Sequence, residues 1–398
     1  MPAHLDFDTR REAHAGGQLS QFCHTLFYSL PRTDQRHWAE TYVRGLVSVP
    51  GRKSIRRISD QIAGRRADQC LQQFVNQSPW QWGPVRASLA HEVATALRPS
   101  AWVVDEVVFP KNGTSSVAVE RQYAYSAGRT VNCQLGLVTS LATEDGSCPV
   151  NWRLMLPRGW VDDQRRRARS YVPDTERYRS RWHYLLETVD EMSAAWDLPA
   201  APVVVDGRAE PTVEPLLRAL EARGLHYLVQ VSPNTRAIEA PADRGTSVGE
   251  LALAAARRSR TMVTFPDAAT HRPTQAQVAL APVPGVPQPA RIVPGQPRQR
   301  VRRVVGEWRA GRRPHTLWLT NLNVANPVEL LNLGRLRERT RDELNRIDRE
   351  SGLQHFEGRS YRGWHHHVTL ASAAHGYRLL CRLREERARE YGQLRPYA

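Results

Sequence analysis

The chain has 398 residues, 41% of them hydrophobic, which is long enough for two or three domains around a sizeable core. Its 56 basic residues outnumber 40 acids, giving a formal charge of +16, and only Lys53 and Lys111 are lysines. An arginine excess of this size points to a polyanionic partner. The five scattered cysteines form no CxxC pair, which argues against a zinc ribbon or a disulfide framework and for a cytoplasmic protein. No run approaches the ~18 apolar residues of a membrane span.

Residues 1–98 read as a helical domain. Phe22, Leu26, Phe27 and Leu30 make one apolar face, and Trp38, Tyr42, Val43 and Leu46 another. In Lys53–Val75 the stripe Ile55, Ile58, Ile62 is broken by Gly64 and resumed by Leu71, Phe74 and Val75. A helix-turn-helix opening its second helix with Arg65, Arg66 and Gln69 satisfies this pattern, and so does a plain helical hairpin.

From Ala101 the pattern changes to strands. AWVVDEVVF, SVAVERQYAYS, VNCQLGLVTSLA and CPVNWRLMLP, separated by turns, predict an antiparallel meander. Asp105 and Glu106 are adjacent in the first strand and must face opposite ways. Asp105 is the expected inward acid, and Glu106 is expected to be solvated or to support its neighbour. Lys111 follows as a phosphate-holding or plain turn lysine. Asp174–Trp196 reads as one amphipathic helix, followed by PVVVDG, a strand ending in Asp206, and by a helix and LHYLVQV to complete a β–α–β unit.

Residues from about 230 to 315 are irregular and proline-rich. Within Arg298–Arg313, residues Arg300, Arg302, Arg303, Arg312 and Arg313 are candidates for a DNA-contacting arm. LWLTNL predicts a strand and Pro327–Ser351 a helix laced with charge pairs. The segment after Gln354 reads as a largely buried helix preceded by Glu357 and containing His365, His366 and His367, which cannot share one helix face.

Asp105, Asp206 and Glu357 have comparable settings, on the first strand, at the end of a later strand and before a buried helix. Carboxylates brought together need a strong cation between them, and oxygen ligands select Mg²⁺ or Mn²⁺. VVDEVVFPKNGTSSVAVERQYAYSAGRTVNCQLGLV, NWRLMLPRGWVDD and FEGRSYRGWHHHVTL resemble the DDE transposases of bacterial insertion sequences, most closely the insertion-sequence seven-hundred-and-one group. The resemblance implies an α/β, RNase H-like catalytic domain over 99–380 with a strand-rich insertion about 230–315, a helical DNA-binding domain before it and a basic tail, 381–398, after it. It places the metal-binding triad on Asp105, Asp206 and Glu357. It further implies Mg²⁺ or Mn²⁺ as cofactor, double-stranded DNA as partner, a homodimer on DNA, no membrane association and a nucleoid-associated, cytoplasmic location. The chain departs from the family pattern at DGRAEP after the second acid, and over Arg236–Pro314. The function expected is cutting and joining of DNA ends by metal-assisted phosphoryl transfer; the alternatives are DNA binding by a domesticated descendant that moves nothing, and a nuclease that cleaves without joining.

Overall fold

The computed structural model describes residues 16–63, 67–237, 246–266, 273–284, 301–309, 311–323 and 326–393. The first helices are α1 (residues 16–26), α2 (Thr33–Ser48), the short α3 (Ile55–Ile58), α4 (Asp68–Asn76) and α5 (Trp82–Leu97). Ile58, Leu71, Phe74 and Val75 of the expected helix pair are buried, while Gly64, Arg65 and Arg66 lie outside the described residues. No described helix is long and apolar enough to cross a membrane.

A single mixed sheet forms the centre. Its first strands are β1 (Ala101–Pro110), β2 (Glu120–Ala124), β3 (Arg129–Ala142) and β4 (Ser147–Met155). These are antiparallel but not a meander, because β1 pairs along its whole length with β3. The outer edge of β3 is shared by β2 and β4. The chain after β1 does not turn straight back: Val117 donates to the Arg359 carbonyl and accepts from the Gln134 amide, which ties that segment to the loop before the last helix and to β3.

The expected 174–196 helix is shorter than its apolar stripe. After the small α6 (Gln164–Arg169), α7 covers only Arg181–Asp190, and a π turn follows at Glu191–Ala195. Buried Arg167 takes the carbonyls of Pro173 and Glu176, which therefore do not enter a helical ladder. Then come β5 (Val203–Asp206), α8 (Glu214–Ala222) and β6 (Tyr227–Gln230), with β5 parallel to both β1 and β6. Beyond β6 the chain adds α9 (Val248–Arg258), β7 (Thr261–Pro266), β8 (Pro273–Pro282), β9 (Arg303–Trp308) and β10 (Thr316–Thr320). The sheet order is β2–β3–β1–β5–β6–β10–β9–β8–β7, with β4 also on β3.

Two long helices finish the fold. α10 (Pro327–Ser351) starts on an Asn326 cap that accepts from Glu329 N–H and stops at Gly352, whose φ of 65° suits a residue without a side chain. α11 (Tyr361–Gln393) passes through the middle of the molecule, so the 381–393 stretch continues a helix. Its Trp364–Tyr377 portion is buried all round, and Gly376 lies so close to α5 that a Cβ there would sit 2.7 Å from Leu89. The N-terminal helices pack on α11 and share one hydrophobic core with one face of the sheet. α10 closes the other face, over Val103, Val204 and Leu228.

Candidate functional site

Alternation along β1 decides which acid faces which layer. Asp105 falls on the face of Ala101 and Val103, beneath α10, and Glu106 on the face of Trp102 and Val104. β1 lies between β3 and β5, so both acids are buried, at 1% and 5% exposure. Glu106 is therefore not solvated. Its Oε1 accepts from the Ser126 N–H and hydroxyl, and Arg181 at the start of α7 lies 3.5 Å from its Oε2.

The register Trp102↔Val203, Val103↔Val204, Val104↔Val205 makes Asp105 and Asp206 the next pair abreast. Neighbouring strands lie about 4.8 Å apart, so two carboxylates on one face repel unless cations are supplied. The cations here are guanidinium groups. Arg337 Nη2 donates to Asp206 Oδ2 at 2.8 Å and sits 3.5 Å from Asp105 Oδ1. Arg341, one helical turn on, reaches both Asp105 oxygens at 3.1 and 3.2 Å. Arg208 forks onto Asp206 at 2.9 and 2.7 Å. Burial would raise the Asp206 pKa, but the Arg208 hydrogen bonds and the charges of Arg337 and Arg208 outweigh it and hold the carboxyl at about 2. Burial in turn lowers the pKa of Arg337, against the pull of both aspartates.

The other residues singled out from the sequence are more dispersed. Glu357 lies in the loop before α11, its side chain 66% exposed and paired with Arg52. It lines a cleft of about 690 Å³ with Lys53, Arg56, Gln69, Asn76 and His355. None of its hydrogen bonds or ion pairs reaches Asp105 or Asp206. Gln69 is exposed in the same cleft, and Lys111 donates to the Phe356 carbonyl beside it. Arg302, a candidate DNA contact, is 4% exposed, and its guanidinium is paired with Glu214 and Glu221 of α8. Arg303 donates to the Asn323 carbonyl, Arg312 and Arg313 are exposed, and Arg300 lies outside the described residues. His365, His366 and His367 are all buried and hydrogen-bonded, to Arg86, to the Val75 and Trp80 carbonyls, and to Tyr42 and the Gly352 and Leu353 carbonyls.

A divalent ion of the magnesium type needs about six oxygens with near-octahedral freedom. Asp105 and Asp206 offer oxygens that already accept from guanidinium groups, and the α10 positions facing them are Arg337 and Arg341. Among the described residues no group of three or more His, Cys, Asp or Glu side chains could hold a metal ion. The residues present do not fit the ion. Sequence reasoning missed these arginines, although their spacing of four residues, in GRLRERTRDEL, was the available signal.

No curated protein matches the chain. Among solved structures, a piggyBac transposase synaptic complex with hairpin DNA aligns over 94% of this chain and 74% of that chain, with TM-score 0.43 and 10% identity. The sequence profile of the DDE superfamily endonucleases matches residues 25–283, a span that contains Asp105 and Asp206 and well over half of the chain. The chain belongs to the DDE superfamily endonuclease family.

Proposed function

We propose that the chain is a transposase-type protein of this family that engages double-stranded DNA, and that it binds DNA without cutting it. Family membership supports DNA as the partner. The order β4–β3–β1–β5–β6, antiparallel on one side of β1 and parallel on the other, supports an RNase H-like core over 99–380. The charge of +16 favours phosphate contacts, with the helices before residue 98 and the exposed Arg312 and Arg313 as contributors. An insertion-sequence ancestry and a homodimer on DNA belong to the same proposal.

One observation favours one of the two readings. Metal-assisted cutting and joining needs clustered carboxylates left free for Mg²⁺ or Mn²⁺. Here Asp105 and Asp206 are neutralised by Arg208, Arg337 and Arg341, and Glu357 is engaged by Arg52. That arrangement favours the DNA-binding descendant. The test is incubation of the full chain with labelled duplex and supercoiled plasmid in Mg²⁺ and in Mn²⁺. Binding with intact strands is expected. Strand breaks that disappear in Asp105→Asn would show that the cutting reading holds.

A further inference from the structure

The arginines over the aspartate pair are not equivalent. The Arg337 side chain is 7% exposed and lies between the two acids, whereas the side chains of Arg341 and Arg208 are 42% and 48% exposed. Three guanidinium groups over two carboxylates leave one positive charge at the mouth of the site. Two divalent ions on three carboxylates would leave the same charge. A guanidinium also presents planar paired donors that match a phosphate. It is a donor without vacant coordination positions, so it can bind a phosphodiester but cannot activate water as a metal ion does.

We infer that Arg208, Arg337 and Arg341 stand in place of metal ions and form a metal-independent site for a backbone phosphate of DNA. Arg337 neutralises the aspartate pair, and the half-exposed Arg208 and Arg341 present their free donors to the phosphate. The inference rests on the DNA-binding reading and adds its location and its independence of metal. Arg208 lies in DGRAEP, two residues after Asp206, and its side chain turns back onto that carboxylate. The chain thus carries a guanidinium at the edge of the second acid as well as two on α10.

The test has two arms, both with the full chain. In the first, fluorescence anisotropy with a labelled mixed-sequence duplex is measured in EDTA and in Mg²⁺ over a range of salt. Wild-type affinity should agree within about twofold between the two buffers. Arg208→Gln combined with Arg341→Gln should weaken binding and reduce the log–log salt slope by about 1 to 2, near 0.9 per lost phosphate contact. The single Arg341→Gln change, at a half-exposed position, serves if the pair misfolds. In the second arm, Mn²⁺ is titrated and followed by electron paramagnetic resonance without DNA. Wild type should leave Mn²⁺ free, and Arg337→Gln with Arg341→Glu should gain one bound ion. Duplex binding that EDTA abolishes, an unchanged slope in the arginine variants, or wild-type Mn²⁺ binding that Asp105→Asn removes would each overturn the inference while leaving DNA binding intact. No duplex binding in either buffer would defeat the DNA reading itself, and the phosphate site with it.

Discussion

Arg337→Gln is the perturbation with the clearest energetic consequence. Arg337 makes three polar contacts, to Asp206 at 2.8 Å, to Gln230 at 2.9 Å and to Asp105 at 3.5 Å. Removing one partner of a buried ion pair costs roughly 3–5 kcal/mol, because a charge is left without compensation. Arg341 and Arg208 still neutralise one aspartate each, so the lower end, about 3 kcal/mol, is expected. Much of that cost should come from the stranded charge. Arg337→Gln with Asp105→Asn should therefore be more stable than the two single losses added together, by about 1 kcal/mol or more. In Arg337→Gln the vacated position also admits a cation. With 10 mM Mg²⁺ and a Kd of about 1 mM, the variant would regain about 1.4 kcal/mol, and wild type nothing. Equilibrium urea unfolding followed by tryptophan fluorescence measures all of these quantities. A loss below about 0.5 kcal/mol for Arg337→Gln, or strict additivity with Asp105→Asn, would refute the reasoning.

Further expectations concern pH, packing and the exposed acid. Burial lowers the His366 pKa to about 3 and the His367 pKa to about 4, so both are neutral in the fold while the unfolded chain protonates near 6.5. Their stability contribution is present above pH 6.5 and is lost as pH falls towards 4, by about 3 kcal/mol for His367 at pH 4. Melting temperatures measured between pH 7 and 4 should fall across that window, and His367→Gln should flatten the fall. Asp206, lowered from 3.8 to about 2, adds a second loss of about 2 kcal/mol that begins only below pH 4. Arg302→Gln should unfold in less urea and leave the salt slope of DNA binding unchanged, since Arg302 is bound to Glu214 and Glu221. Glu357→Gln should shift stability by less than about 1 kcal/mol, as an exposed ion pair does, and should not alter Mn²⁺ binding.

The parts of this fold legible in the sequence are those set by local periodicity and capping. The Val-rich stretch around Asp105 reads as a strand because β-branched residues fit a pleated surface. Pro327–Ser351 reads as a helix because Asn326 caps it and Gly352 ends it. What could not be read is which neighbour covers each face. Glu106 is buried because Arg181 and Ser126 come from distant segments to meet it. Likewise Arg337 and Arg341 share a helix face on spacing alone, but only tertiary packing turns that face towards β1 and β5 rather than water. The path of the loop from Gly352 to Tyr361, which carries Glu357 to the side of Arg52, depends on contacts with α2 to α4 that no short-range pattern encodes. Similarly, the apolar stripe in Asp174–Trp196 extends past the helix because Arg167 captures the carbonyls before it.

The most direct test of the guanidinium-for-metal account is anomalous diffraction from crystals of the full chain grown or soaked in Mn²⁺. The account predicts that Arg337 and Arg341 remain on Asp105 and Asp206, with no manganese peak between the two aspartates. A Mn²⁺ ion about 2.2 Å from oxygens of both carboxylates, with Arg341 swung away, would contradict it.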